Sequence, residues 1–428
     1  MADAGLVIIG AGLSGLTTAL FSRDDFLLLE KSSRPGGLLK TEDIEGFLFD
    51  FTGHWLHLRD PRTKDFIADL MGDGMVTVNR KAAIWSNGVM TLFPFQANLF
   101  GLPPAVIREC LQEAVASAVS RAAGTASVPG NFEEYANIHF GRGIARHFIV
   151  PYNTKLWGVP PSEVTAEWTQ RFVPMPDIAQ IIDGALGFSA QAMGYNVSFI
   201  YPATGGIESI PRAMAARLDH SRIMFNTAPT ALNAEERWVE AGGRRISWDR
   251  LVSTTALPDL VKMTVDAPDV IRKAAAELRC SPLRFVNVAL DVPTPLDGNH
   301  WIYLPETKYP FYRVGCFSNA VKSLAPAGKS SLYVELAPDT TMPEAEITAA
   351  LQDFLIEIGS ITEKSQLLFA RYRNHPWGYV IFDERCVPAR DLILGWYRSK
   401  GIKSIGRYGA WTYNSMEDAM LEAMAAAG

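Results

Sequence analysis

The sequence predicts a mixed α/β fold: a Rossmann-like dinucleotide domain on a parallel sheet, an inserted helical subdomain and an antiparallel-sheet domain. Three observations predict it. A strand, a glycine-rich turn, a helix, a second strand and an acid follow one another within residues 6–30. A helix-forming block runs over 103–150, broken by small residues at 124–129. Beyond residue 258 the pattern changes to alternating strands, before a last strand and helix at 402–427.

The limits set by composition agree. The 428 residues allow two or three structural units, and 48% hydrophobic with 20% charged residues is the balance of a soluble globular protein. The net charge of −6, without a long basic run, makes nucleic acid and anionic membrane poor partners. Cys110, Cys280, Cys316 and Cys386 lack metal-ligand spacing and pairing signals, which points to a reducing cytoplasm. No basic n-region and no run of 18 apolar residues occurs, so neither a signal peptide nor a membrane span is expected.

In order along the chain, Leu6-Val7-Ile8-Ile9 is apolar throughout, as suits a strand buried on both faces. Gly10, Gly12 and Gly15 follow at G-x-G-x-x-G spacing. One glycine makes the tight turn, the second admits a pyrophosphate to the backbone, and the third lets helix and strand pack closely. Leu16, Ala19 and Leu20 give a helical apolar face, and the strand 26–29 ends at Glu30, placed to take ribose hydroxyls. Arg34-Pro35-Gly36-Gly37-Leu38 comes next. This Glu-x-x-x-Arg-x-Gly-Gly extension resembles the FAD signature of the glutathione-reductase-like superfamily, in the branch of amine oxidases, protoporphyrinogen oxidases and UDP-galactopyranose mutases. The resemblance implies FAD on Glu30, Lys31, Arg34, Gly36, Gly37 and Leu38, with Arg34 adding charge near a phosphate.

His54 and His57 follow Gly53. No third ligand is nearby, so no metal is expected; structural histidines are the alternative reading. By resemblance to the mutase family, Gly53-His54 passes beside the flavin, with His54 counted among catalytic residues. Trp85 to Leu92 reads as a hairpin about Asn87-Gly88. Pro94 to Leu99 resembles a substrate-side stretch of the same family.

After the helical block comes Tyr152-Asn153-Thr154-Lys155-Leu156-Trp157-Gly158, with Arg171 fourteen residues after the tryptophan. It is similar to the Tyr-x-x-Lys-x-Trp-Gly segment of UDP-galactopyranose mutases. The resemblance implies that Tyr152 stacks on uracil and Trp157 lies on a mobile loop over the site. Arg171 would swing in to neutralise a diphosphate. Core packing of the two aromatics is the alternative. Tyr201-Pro202-Ala203-Thr204-Gly205-Gly206 recurs across the branch and marks membership. A strand at 223–228 should bring Ala228 near the adenosine, and the hairpin 238–248 turns at Gly242-Gly243.

Strands are expected at 285–290, 300–304, 312–317 and 331–336. Arg313 lies among apolar neighbours and wants a buried anion. The resemblance supplies a sugar diphosphate; a structural salt bridge is the alternative. Gly378-Tyr379-Val380 matches a Gly-Tyr-Pro stretch with valine for proline, and implies that Tyr379 donates to the diphosphate. Gly406-Arg407 to Asp418 resembles the third FAD segment. Arg407 would hold the FAD pyrophosphate, Tyr413 would reach the substrate phosphates, and Ser415 and Met416 would open a helix aimed at the flavin. Ser415 with Asp418 is a capping signal for that helix. Bacterial mutases carry an acid where Ser415 stands, so the sugar is open.

The expected division is an FAD domain at 1–80, 203–257 and 390–428, and a helical subdomain at 99–190. The sheet domain takes 81–98, 191–202 and 258–389. The implied activity is pyranose–furanose interconversion of a UDP-sugar or other nucleotide sugar, without net redox, through an adduct at N5 of reduced FAD. A flavin oxidase of the amine or protoporphyrinogen oxidase type, or a flavin protein without catalysis, are the alternatives. Oligomeric state is left open between monomer and homodimer.

Overall fold

The computed structural model describes residues 3–166, 173–188 and 197–428. Its first sheet is built from the glycine-motif strand outward. Ala4–Ile9 pairs in parallel with Phe26–Leu29 on one side and Arg244–Ser253 on the other. Ile223–Met224 extends one edge and Ile402–Ser404 the other, both parallel. An antiparallel ribbon of Pro229–Asn233 and Trp238–Ala241 continues from Arg244–Ser253. Its turn is Gly242-Gly243, where φ is +60° and +76°, so the expected hairpin forms there. Leu6, Val7 and Ile8 are fully buried because helices cover both faces, which explains an unbroken apolar run. Leu13–Phe21 packs against the last helix, Met416–Ala427.

The edge strand is shorter than expected. It ends at Met224, Asn226 takes a left-handed φ of 52°, and the N–H of Thr227 donates to the Glu30 carbonyl at 2.8 Å. That turn carries Ala228 toward the glycine motif.

The second sheet has seven strands in the order Leu367–Val380, Cys280–Leu290, Ser330–Leu336, Phe311–Cys316, Trp301–Tyr303, Ala82–Ser86 and Val89–Leu92. Its pairings are antiparallel except that Trp301–Tyr303 runs parallel to Ala82–Ser86. The Asn87-Gly88 turn has positive φ at both residues, as a two-residue hairpin of this hand requires. Leu367–Val380 is a strand the sequence reading did not assign, and it carries Pro376 and Gly378 within it. An edge position and a register shift opposite Ser281 and Leu283 accommodate both.

The helical part contains Pro104–Ala122, Phe132–Ile144, Val150–Trp157 and Ile178–Leu186. Phe132–Ile144 runs into Val150–Trp157 through a π-helical segment, Ala145–Ile149. Such a segment re-aims the following turns, and here Phe148, Ile149, Tyr152, Asn153 and Leu156 all face one cavity. Among the described residues, no helix is long and apolar enough to cross a membrane.

Candidate functional site

A cavity of about 940 Å³ runs from the glycine motif, past the second sheet, to the helices. At its first end Gly12 and Gly37 lie back to back, and a Cβ on Gly37 would sit 3.0 Å from the Gly12 Cα. The Gly36 N–H donates to the Ala11 carbonyl at 2.8 Å, which ties the two glycine segments into one cradle. Gly10 has φ +100°, and a Cβ there would meet the Thr254 hydroxyl at 2.3 Å. A Cβ on Gly15 would lie 1.8 Å from the Gly10 carbonyl oxygen, so only glycine permits this helix-to-turn contact. Gly15 thus shapes the cradle from behind rather than lining it.

Glu30 is buried, and its carboxylate accepts the N–H of Ala11 and of Ser32, both at 2.7 Å. Each oxygen keeps a further lone pair for a hydroxyl. Lys31, Leu38, Gly53, Ala228, Gly406, Ser415 and Met416 line the cavity, where the sequence placed them. Ser415 caps the last helix through the expected box with Asp418. The N-termini of Leu13–Phe21 and Met416–Ala427 therefore both open on the cavity, each offering partial positive charge.

Arg34 departs from its expected place. It does not line the cavity; its guanidinium pairs with Glu208 at 3.0 Å and also reaches the Thr41 carbonyl. Glu208, almost fully buried, also accepts the Thr41 N–H at 2.8 Å and pairs with Arg212. The stretch from Tyr201 to Glu208 thus buttresses the Arg-x-Gly-Gly loop, a role the sequence did not disclose.

In the middle of the cavity His54 is half-buried, and desolvation with the nearby Arg407 guanidinium pushes its pKa down to about 4. It is neutral at physiological pH, and its Nδ1 is buried without a hydrogen-bond partner. Gly53 beside it approaches Tyr333 so closely that a Cβ would meet the hydroxyl at 2.5 Å. His57 lines the cavity too, with Nδ1 2.9 Å from the Ser198 carbonyl oxygen.

Arg313 stands on the second sheet opposite Glu335, its register partner. Its Nη2 donates to both Glu335 oxygens at 2.6 Å, and Glu335 is fully buried. Burial disfavours the guanidinium charge, but the carboxylate beside it holds its pKa above the usual value. The Arg313 Nε, also buried, has no partner. Arg313 thus has a structural salt bridge and still faces the cavity with half of its fork uncommitted. The Tyr379 hydroxyl lies 3.3 Å from Nη2, and the Tyr379 ring stacks on Tyr413 at 6.2 Å between centroids.

Arg407 lies over Tyr413, 4.7 Å from the ring centroid, and 5.5 Å from that of Tyr379. Its Nη1 donates to the Asn414 carbonyl at 3.0 Å, and among the described residues it has no carboxylate partner. A guanidinium so enclosed and without a counter-ion is arranged for an anion.

The far end is aromatic. Phe95, Phe148 and Tyr152 form a ladder with centroid spacings of 5.2 and 5.4 Å and nearly parallel rings. Tyr152 meets Tyr303 edge-on at 5.2 Å. Trp157 differs from its expectation of a mobile loop over the site. It is the last residue of the helix Val150–Trp157, is buried against Phe132, and does not reach the cavity. Trp157 lies about 140° round the helix from Tyr152, on the side packed against Phe132. Arg171 lies outside the described residues.

The sequence missed Glu335, Tyr333 and Gln96. Glu335 carried one signal, a lone acid within an apolar strand next to an arginine strand. Tyr333 carried none, and Gln96 only its place in the substrate-side stretch Pro94 to Leu99; the fold brings both to the cavity.

The glycine cradle, the two helix ends, Glu30 and the orphaned His54 nitrogen fit a flavin dinucleotide. The sequence profile described as flavin-containing amine oxidoreductase matches residues 13–428. The fold is similar to a crystal structure of reduced UDP-galactopyranose mutase, with a TM-score of 0.91 and 27% identity, over 99% of this chain and 93% of that one. It also resembles a putative protoporphyrinogen oxidase from Exiguobacterium sp. 255-15 (TM-score 0.75, 17% identity, 99% and 97% covered). A putrescine oxidase bound to putrescine follows at TM-score 0.67 and 15% identity, covering 99% and 98%. The last two likenesses concern the fold alone.

Proposed function

The chain belongs to the flavin-containing amine oxidoreductase family and its cofactor is FAD, and we propose that it is a nucleotide-sugar pyranose–furanose mutase. UDP-galactopyranose is the first candidate substrate. The observation that carries the proposal is the pairing of two cavity-facing guanidiniums, Arg313 and Arg407, with the hydroxyl-bearing rings of Tyr379 and Tyr413. That set suits two diphosphates, one of the cofactor and one of the substrate. It is hostile to a protonated amine, which would meet like charge in a dry site.

In this reading Glu30 accepts ribose hydroxyls, and the glycine cradle with Arg407 takes the FAD pyrophosphate. Tyr152 offers its ring to the nucleobase, through stacking of about 1–3 kcal/mol. Arg313, Tyr379 and Tyr413 hold the substrate diphosphate. Reduced FAD, held by these residues, would supply the nucleophile for departure of UDP. The protein neutralises the leaving diphosphate and excludes water from the sugar. His54 is neutral and can only accept or donate a hydrogen bond at the flavin edge. Arg171 completes the neutralisation, and Arg171→Ala should harm turnover more than UDP affinity.

Anaerobic incubation of dithionite-reduced enzyme with UDP-galactopyranose should give the furanose, with the flavin spectrum unchanged afterwards. Oxidised enzyme should be inactive. Turnover that needs oxygen and releases hydrogen peroxide would replace this reading with the oxidase one.

A further inference from the structure

Lys155 lies inside the protein, 7% exposed, with no part in the cavity lining. Its Nζ donates to three backbone carbonyls: Leu304 at 2.9 Å, Glu306 at 2.9 Å and Phe311 at 2.6 Å. An ammonium has three N–H donors, and all three are used. The carbonyls of Leu304 and Glu306 belong to the loop that joins Trp301–Tyr303 to Phe311–Cys316, and that of Phe311 to the first residue of the second strand. That hairpin carries Tyr303 and Arg313 into the cavity, while Lys155 sits one turn after Tyr152 on the helix Val150–Trp157. Tyr152 packs edge-on against Tyr303 and, at 6.0 Å, against Tyr312 of the same hairpin.

We propose that Lys155 is a positioning residue: its ammonium, by gathering three backbone carbonyls, fixes the helix bearing Tyr152 against the hairpin bearing Tyr303 and Arg313. The two walls of the substrate end come from segments about 150 residues apart, as the separations of these three bonds record. Ring contacts alone would let them slide. Charge-assisted bonds to carbonyls have direction and resist sliding. A methionine of the same length would fill the volume and supply no donor. A neutral amine has two N–H groups for three acceptors, so one tie is lost on deprotonation.

Burial pushes the Lys155 pKa down to about 7, against the opposing pull of the Glu306 and Asp339 carboxylates. The other charged group on this loop, Lys308, pairs with Glu306 and Glu357. Global and local stability then move in the same direction as pH rises above about 7. Between there and the unperturbed 10.5, the unfolded chain holds a proton that the folded chain lacks, so this group adds to global stability as pH rises. Opening that frees the helix from the hairpin returns Lys155 to water, so by the same linkage that opening also becomes costlier over this range.

The link to substrate binding rests on the nucleotide-sugar reading; the clamp does not. The test uses FAD-loaded wild type and Lys155→Met, with hydrogen exchange of segments 150–157 and 303–313 and UDP titration by flavin fluorescence. In the wild type, exchange of both segments, corrected for intrinsic rates, should fall together between pH 6 and 9. Lys155→Met should retain FAD, exchange fast in both segments at every pH, and bind UDP about tenfold more weakly at pH 6.5. Flat wild-type exchange across this range, or Lys155→Met with wild-type exchange and UDP affinity, overturns the clamp. Wild type that responds in exchange but does not bind UDP supports the clamp and removes the nucleotide-sugar reading instead.

Discussion

Replacing Arg313 by methionine should damage both stability and nucleotide binding, and a second substitution separates the two. In the native protein Nη2 donates to both oxygens of a fully buried Glu335 at 2.6 Å. Removing the guanidinium leaves that carboxylate uncompensated, a loss of about 3–5 kcal/mol. Adding Glu335→Gln removes the orphaned charge and should restore all but about 1–2 kcal/mol, the remainder reflecting an imperfectly bonded amide. UDP affinity should not recover. The missing Arg313 contact to the diphosphate is worth about 1.5–3 kcal/mol, or roughly 10- to 150-fold in Kd. Urea denaturation followed by flavin fluorescence gives the first quantity, and UDP titration the second. A double variant that binds UDP as the wild type does would place the diphosphate elsewhere. Equal stability of the single and double variants would refute the ion-pair argument.

Gly15→Ala should abolish FAD retention, because its Cβ would lie 1.8 Å from the Gly10 carbonyl oxygen and must displace the helix from the cradle; a purified yellow protein would contradict this. Arg407→Gln should release FAD more readily than wild type on dialysis, since it removes an enclosed cation with no carboxylate partner among the described residues; unchanged retention would show that the anion is held without it. Stability should fall as pH drops from 6.5 toward 4, because burial lowers both His54 and His300 to about 4, so the unfolded chain binds protons that the folded chain does not. Each histidine contributes at most about 3 kcal/mol over that window. Asp50, raised by burial to about 6, works in the opposite sense between 6 and 3.8. His54→Gln should flatten the acid slope, as read from denaturation midpoints at pH 7 and 4.5; an unchanged slope would mean that His54 is not buried neutral.

What the sequence determined by itself are the features that short-range physics controls. The glycines at 10, 12, 15, 36 and 37, the Asn87-Gly88 turn and the Ser415 cap are each required by backbone conformation, close approach or a neighbour three residues away. Gly10, Gly12, Gly15, the Asn87-Gly88 turn and the Ser415 cap were therefore legible from spacing, while Gly36 and Gly37 were read through the resemblance to the FAD signature. Charge pairing was not. Arg34 and Arg313 were both read toward phosphates, yet Glu208 and Glu335 claim them in part, from positions 174 and 22 residues away. Nothing local says which acid will meet which arginine; strand register decides it for Arg313 and helix placement for Arg34. The same holds for Trp157, whose direction follows from a helix that continues where the motif suggested a loop, and for Lys155, whose three acceptors are backbone atoms and leave no mark in composition. A backbone carbonyl has no identity in the sequence, so the contacts that assemble the two walls of the substrate end exist only in the folded chain.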